Sequence, residues 1–354
     1  LPSSPCAPND ARLTLLRQWL APLATSHDFN PASLAPASGD ASFRRYFRVR
    51  GADRDLIVMD APPPVEDCRP FVHVAGLLRQ ANVHVPAILA QDLSQGFLLL
   101  SDLGMRNYTQ AIREGLDDVQ LQTLYRQAIA ALVRMQHAQT DGLPVCSQDH
   151  LLQELAVFDV WYVQRYYDAV LSPEEQTQLA QCFTQLVQDN MRQPSVLVHR
   201  DFHSPNLMLC TESGHGPNPG IIDFQDAYVG PITYDLASLV TDARTTWDEA
   251  QQLDWAIRYW EAARAAQLPV AHDFTEFHRA YEWMSLQRNL RILGVFVRLY
   301  LHDGKPGYLA HLPRVLGYVR QVTTRYQAFR PLNRVLDRLQ LLEPVVSLPA
   351  ACAS

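Results

Sequence analysis

Residues 199–206 read His-Arg-Asp-Phe-His-Ser-Pro-Asn, and Asp223 follows 22 residues after Asp201. Two carboxylates and an amide oxygen in this pattern are the parts that phosphoryl transfer from a nucleoside triphosphate needs. One carboxylate must orient an attacking hydroxyl and accept its proton, while hard oxygen ligands hold a divalent cation against the phosphates. Asp201 suits the first role; Asn206 and Asp223 suit the second. His199 reads as a group that fixes the loop, because a buried polar side chain needs a hydrogen-bond partner in any case. His199 and His203 also form H-x3-H, but that spacing binds zinc only on a helix, and Pro205 and the strand-like flanks argue against one.

The flanks say how such a polar loop can be held. "VLVH" (196–199), "NLMLC" (206–210) and "PGIIDF" (219–224) read as short strands, and the end of a strand directs a carboxylate such as Asp223 out of its sheet. Upstream, residues 10–25 read as a helix, and "GDASFRRYFRVR" (39–50) and "DLIVMDA" (55–61) as strands. Glu66 and Asp67 open a helix in which Phe71, Val74, Ala75 and Leu78 share one face. "VPAILAQD" (85–92) and "GFLLLSDLG" (96–104) return to strand character. From about residue 117 the pattern turns helical, with Leu121, Tyr125, Ala128, Leu132 and Met135 on one stripe and a capping signal at Ser172-Pro173-Glu174-Glu175. The expected fold is α+β and bilobal, with a small β-rich nucleotide-binding lobe over 1–103 and a larger, mainly helical catalytic lobe over 104–354, the lobe to which the resemblance described below assigns sugar binding.

Composition narrows the partners. A chain of 354 residues with 47% hydrophobic content can bury a sizeable core, and a net charge of −7 disfavours nucleic acid and anionic membrane. Cysteines at 6, 68, 146, 182, 210 and 352 show no C-x2-C spacing, which fits a reducing compartment. No run approaches the ~18 apolar residues of a membrane span. A cytoplasmic protein with small-molecule partners is expected; the oligomeric state has no signature.

His199-Arg200-Asp201-x4-Asn206 has the spacing of the kinase catalytic loop, and Asp223-Phe224-Gln225 stands where kinases carry D-F-G. With "IDFQDA" (222–227) and "GPITYDLASL" (230–239), the chain resembles the aminoglycoside phosphotransferase family of small-molecule kinases, which share the protein-kinase-like fold. Protein kinases usually place a lysine two residues after the catalytic aspartate; here His203 stands there. Within the family, "DASFRRYFRV", "VMDAPPPVEDCRPF", "QGFLLLSDLG" and "RILGVFVRLYLHDGK" are most similar to bacterial kinases of the anomeric position of amino sugars. The resemblance implies ATP and Mg²⁺ as cofactors and the C1 hydroxyl of N-acetylmuramate or N-acetylglucosamine as acceptor, in cell-wall recycling. Kinases of other small hydroxyl compounds (an aminoglycoside, choline or homoserine) and a non-catalytic ATP-binding protein are the alternatives.

The chain departs from the kinase pattern in the first lobe. The strand that should carry a phosphate-gripping lysine reads Leu56-Ile57-Val58-Met59, and Lys305 is the chain's sole lysine. The phosphate loop, Gly39-Asp40-Ala41-Ser42, has one glycine, with Ser42 a nucleotide contact. Strand alternation puts Arg44, Tyr46 and Arg48 on one face and Phe43, Arg45 and Phe47 on the other, so Arg44 or Arg45 is expected to replace the lysine, since a guanidinium fork matches phosphate oxygens. The adenine should meet the backbone of Ser101, Asp102 and Leu103. His203 and Asp226 are candidate sugar contacts. Aromatic and basic residues at 161–166 and the arginines 288, 291 and 298 could line a sugar pocket, with Arg165 or Arg288 meeting the lactyl carboxylate of a muramate. Asp235 is expected to tie a helix start to the catalytic loop.

Overall fold

The computed structural model describes residues 11–38, 43–210 and 216–345. Contacts divide the chain into two compact units: residues 1–106 with 208–226, and residues 107–207 with 227–354. The segment 208–226 therefore groups with the first unit, whereas a single boundary at 103/104 would assign it to the second.

The first unit is built on a five-stranded antiparallel sheet in the order β1-β2-β3-β5-β4, with β1 Phe29–Ser38, β2 Arg45–Gly51, β3 Leu56–Asp60, β4 Ile88–Asp92 and β5 Phe97–Ser101. The strand β1 lies outside the sequence expectation, because Pro31 and Pro36 interrupt its pattern. It is an edge strand, where missing N–H groups are tolerated, and its register against β2 shifts twice. The helix expected over 10–25 is two, α1 Ala11–Leu20 and α2 Leu23–Ser26, separated at Ala21-Pro22. Leu16 and Leu20 of α1 pack on Phe47, Val49, Leu56, Val58, Phe97 and Leu99. That face of the sheet is thereby fixed, and the period of two turns Tyr46, Arg48, Ile57 and Met59 to the opposite face.

The third helix, α3, spans Arg69–Gln80, starting later than Glu66. Asp67 accepts the Arg69 N–H at 2.9 Å just ahead of it, and Phe71, Val74, Ala75 and Leu78 are buried as their spacing requires. Backbone hydrogen bonds from Leu209 to Arg106 and from Ile221 to His84, both 2.8 Å, tie segment 208–226 to this unit.

The second unit holds α4 Tyr108–Glu114, α5 Asp118–Met135, α6 Gln148–Val157, a π-helix over Phe158–Tyr166, α7 Pro173–Asn190, and the two-stranded pair of β6 Ser195–Val198 with β9 Tyr228–Pro231. Between them in sequence lie the short strands β7 Leu207–Met208 and β8 Gly220–Ile221. The remaining helices are α8 Tyr234–Val240, α9 Glu249–Ala265, α10 Phe274–Leu301, α11 Leu312–Arg325 and α12 Arg330–Gln340. The stripe read on α5 is buried, and Ser172 caps α7 reciprocally with Glu175. The 28-residue α10 is buried through its middle and packs on α6, the π-helix, α7, α8 and α11. At Gly294 a Cβ would lie 2.2 Å from the Val157 carbonyl oxygen, so the two backbones meet where no larger residue fits. Among the described residues no helix is long and apolar enough to cross a membrane.

Candidate active site

The loop after β6 is held from three sides by the second unit. Asp235, in the first turn of α8, accepts the backbone N–H of His199 at 2.6 Å on one oxygen and that of Arg200 at 3.0 Å on the other. The Arg200 carbonyl in turn accepts Nη1 of Arg288 at 2.6 Å. The Asp201 N–H donates to His199 Nδ1 at 3.3 Å, and Ser204 N–H donates to Asp242 at 3.1 Å. These bonds pin Arg200 at φ +79°, a left-handed conformation that costs a branched or long residue free energy unless its surroundings enforce it. His199 is thus a buried positioning residue, and residues 204–206 form a single 3-10 turn, so H-x3-H is not on an α-helix.

Asp201 follows directly. Burial would raise its pKa, but His203, Arg288, Arg291 and His199 together draw it down to about 2, which leaves the carboxylate ionised at neutral pH. Asn206 donates through Nδ2 to the Asp201 carbonyl at 3.0 Å and meets His203 Nε2 at 3.3 Å, which turns its Oδ1 to the other side. Burial and the nearby Arg244 and Arg288 lower the His203 pKa to about 4 against the pull of Asp242 and Asp201, keeping the ring neutral. His203 packs against Asn206 within this loop.

Two further groups stand near Asp201 in this unit: Arg291, read in the sequence as a possible pocket residue, and Glu154, which sequence reasoning did not single out. Glu154 of α6 is buried, 3.3 Å from Arg291 Nε, 3.6 Å from Arg200 Nη2 and 3.4 Å from His150 Nε2. Arg291 itself senses both Glu154 and Asp201. The arginine was visible in the sequence as one of three on a helix; Glu154 carried no signal beyond a carboxylate among apolar neighbours. Of the two arginines expected to meet a sugar carboxylate, Arg288 is 3% exposed and committed to the Arg200 carbonyl and the Tyr234 ring. Arg165 lies exposed on the π-helix.

In the first unit, Asp223 is exposed at φ +65° and accepts Gln225 Nε2 at 2.9 Å; the same amide lies 3.3 Å from Asp226. The two candidate arginines part company here. Arg45 turns to the α1 face, where its guanidinium and that of Arg12 share the fully buried Asp60, each at 2.6 Å. Arg44 meets Glu66 at 2.9 Å, with Asp226 and Tyr46 close enough to support its charge. Met59 is buried opposite Tyr46 in the ladder.

After β5, Ser101 Oγ accepts the Ala87 N–H at 2.8 Å, and Asp102 binds Arg48 at 2.5 Å and the Gly104 N–H at 2.9 Å. The Leu103 carbonyl accepts the Cys210 thiol at 3.3 Å. Arg48, Arg54, Asp102, Gly104 and Leu209 line a concavity of about 650 Å³ within this unit. Ser42 and the rest of 39–42 lie outside the described residues. Among the described residues no group of three or more His, Cys, Asp or Glu side chains is arranged as a metal cage.

The sequence profile of the phosphotransferase enzyme family matches residues 33–274. The chain belongs to that family. It is similar to a Pseudomonas aeruginosa protein named N-acetylmuramate/N-acetylglucosamine kinase, with 43% identity covering 94% of this chain and 98% of that one. A Neisseria meningitidis protein of the same name is 40% identical over 92% of this chain and 95% of its own length. Among solved structures, an ADP-bound aminoglycoside phosphotransferase matches with TM-score 0.57 and 13% identity, over 89% of this chain and 99% of that one. A choline kinase from Streptococcus pneumoniae matches with TM-score 0.57 and 10% identity, over 87% and 99%. The fold is the protein-kinase-like one, and the chain is a phosphotransferase.

Proposed function

We propose that the chain transfers the γ-phosphate of ATP to the anomeric C1 hydroxyl of N-acetylmuramate and N-acetylglucosamine. The observation that carries this reading is Asp201: an ionised carboxylate beside Asn206 in a rigidly held loop, in a chain 40–43% identical to proteins named N-acetylmuramate/N-acetylglucosamine kinase. Asp201 accepts a hydrogen bond from the C1 hydroxyl and takes its proton as the oxygen attacks the γ-phosphorus. The bond to the β-bridging oxygen breaks, releasing ADP and the sugar 1-phosphate.

The oxygen donors Asn206 and Asp223 suit a hard cation; these are the residues that would hold Mg²⁺, which would supply positive charge to the phosphates when bound. Arg44, backed by Glu66, takes the place of the strand lysine that Met59 replaces. The adenine lies against the segment 101–103, with Arg48 and Asp102 beside it. The arginines around Asp201 favour an acceptor carrying a carboxylate and disfavour a polycationic aminoglycoside. This reading puts the chain in the cytoplasmic recycling of cell-wall amino sugars.

The test is incubation with γ-labelled ATP, Mg²⁺ and a panel of N-acetyl amino sugars, aminoglycosides, choline and homoserine. Label at C1 of the two sugars is expected. Transfer to another class, to another hydroxyl, or to none of them would overturn the proposal.

A further inference from the structure

Gly294 lets α10 approach the end of α6, and three residues back on each helix Arg291 meets Glu154. The pair is unusual in what it leaves undone. Both carboxylate oxygens of Glu154, which is 6% exposed, are buried without a well-formed hydrogen bond; Arg291 Nε, His150 Nε2 and Arg200 Nη2 stand 3.3–3.6 Å away. Arg200 Nε and the Tyr234 hydroxyl are likewise buried without a hydrogen-bond partner. Groups of this kind are rare in folded proteins, and where they cluster around one point they mark a place completed by a polar molecule. The point adjoins Asp201, because Arg200, the residue directly before it in the chain, reaches Glu154 at 3.6 Å.

Arg291 differs from its neighbours in reach. Arg288 is buried and bound to the Arg200 carbonyl, whereas Arg291 keeps 24% of its side chain exposed and engages Glu154 through Nε. An arginine oriented by a carboxylate at Nε still has its outer N–H groups to offer, the geometry that receives a second carboxylate bidentately.

We propose that Arg291, oriented by Glu154, binds the carboxylate of an acidic acceptor and sets the preference for the lactyl-bearing amino sugar over its neutral counterpart. The inference rests on the function proposed above. Charge recognition of this kind acts on the ligand that carries the charge, so its loss falls on one substrate of the two.

The experiment is steady-state kinetics of wild type, Arg291→Gln, Arg291→Lys and Glu154→Gln with N-acetylmuramate and N-acetylglucosamine at saturating ATP. In Arg291→Gln the KM for muramate should rise roughly 10- to 100-fold relative to that for glucosamine, the scale of one charged hydrogen-bonded contact. Arg291→Lys, which keeps the charge and loses the fork, should shift the ratio in the same direction by a smaller factor, and Glu154→Gln should shift it through the misplaced guanidinium. The KM for ATP reports whether each variant is intact, and Arg291→Lys carries the comparison if Arg291→Gln does not fold. An unchanged muramate-to-glucosamine ratio in the arginine variants overturns the inference and leaves the proposed function standing. Wild type that phosphorylates neither sugar overturns the function first.

Discussion

Asp235 holds the backbone N–H of His199 at 2.6 Å and gives its second oxygen to the next N–H in the chain, so one buried carboxylate sets the start of the catalytic loop. Burial raises its pKa to about 6, against the pull of His199, Arg288 and the two N–H donors. A carboxyl raised in the folded state from 3.8 to about 6 binds its proton more tightly there than in the unfolded chain. Its contribution to stability is therefore full below about pH 4 and is lost as pH rises through about 6, by about 3 kcal/mol over that window. In Asp235→Asn this titration is gone, so the stability gap between wild type and variant should be wider at pH 4.5 than at pH 7. Denaturant melts at the two pH values measure it, and a gap that widens with rising pH would contradict the assignment.

Asp201→Asn removes the proposed base while leaving the loop bonds of its backbone in place. Turnover should fall by about two orders of magnitude or more, with binding of the magnesium nucleotide retained. Calorimetric titration with a non-hydrolysable ATP analogue checks the binding, and near-normal turnover would remove Asp201 from its role.

Arg44 and Arg45 are adjacent, yet their variants should fail in different ways. Arg44→Gln is expected to raise the KM for ATP roughly tenfold, the scale of one charged contact to phosphate. Arg45→Gln should instead lower stability by about 1–3 kcal/mol, because the buried Asp60 loses one of its two guanidiniums. ATP kinetics and thermal melts of the two variants together separate a phosphate contact from a structural one.

Gly294→Ala tests the close approach of α10 and α6. Its Cβ would meet the Val157 backbone at 2.2 Å, a contact that only movement of the helices can relieve. A loss of about 1–3 kcal/mol is expected from overpacking, read as a lowered melting temperature. An unchanged melting temperature would show that the helices do not meet at this point.

Residue order alone makes part of this molecule legible. Asp201, Asn206 and Asp223 stand out because polar groups interrupt apolar runs at fixed spacing, and the α5 stripe and the Ser172 cap follow from local periodicity and capping chemistry. The strand β1 is not legible in this way, because its prolines erase the pattern that identifies a strand, and only its place at the sheet edge makes them acceptable. The break at Pro22 is legible in principle and is hidden by the apolar residues on both sides.

The sequence by itself supplied the candidate groups: a carboxylate for the base, two oxygen donors for a cation, a missing lysine and a surplus of arginines, all properties of residue type and spacing along the chain. Tertiary structure alone decided what each arginine does. Arg12 and Arg45 went to Asp60, Arg44 to Glu66, Arg48 to Asp102, Arg288 to the loop backbone and Arg291 to Glu154. The reason is that a guanidinium's role is set by the acceptor that packing brings within about 3 Å of it, and each of these acceptors is distant from its arginine along the chain.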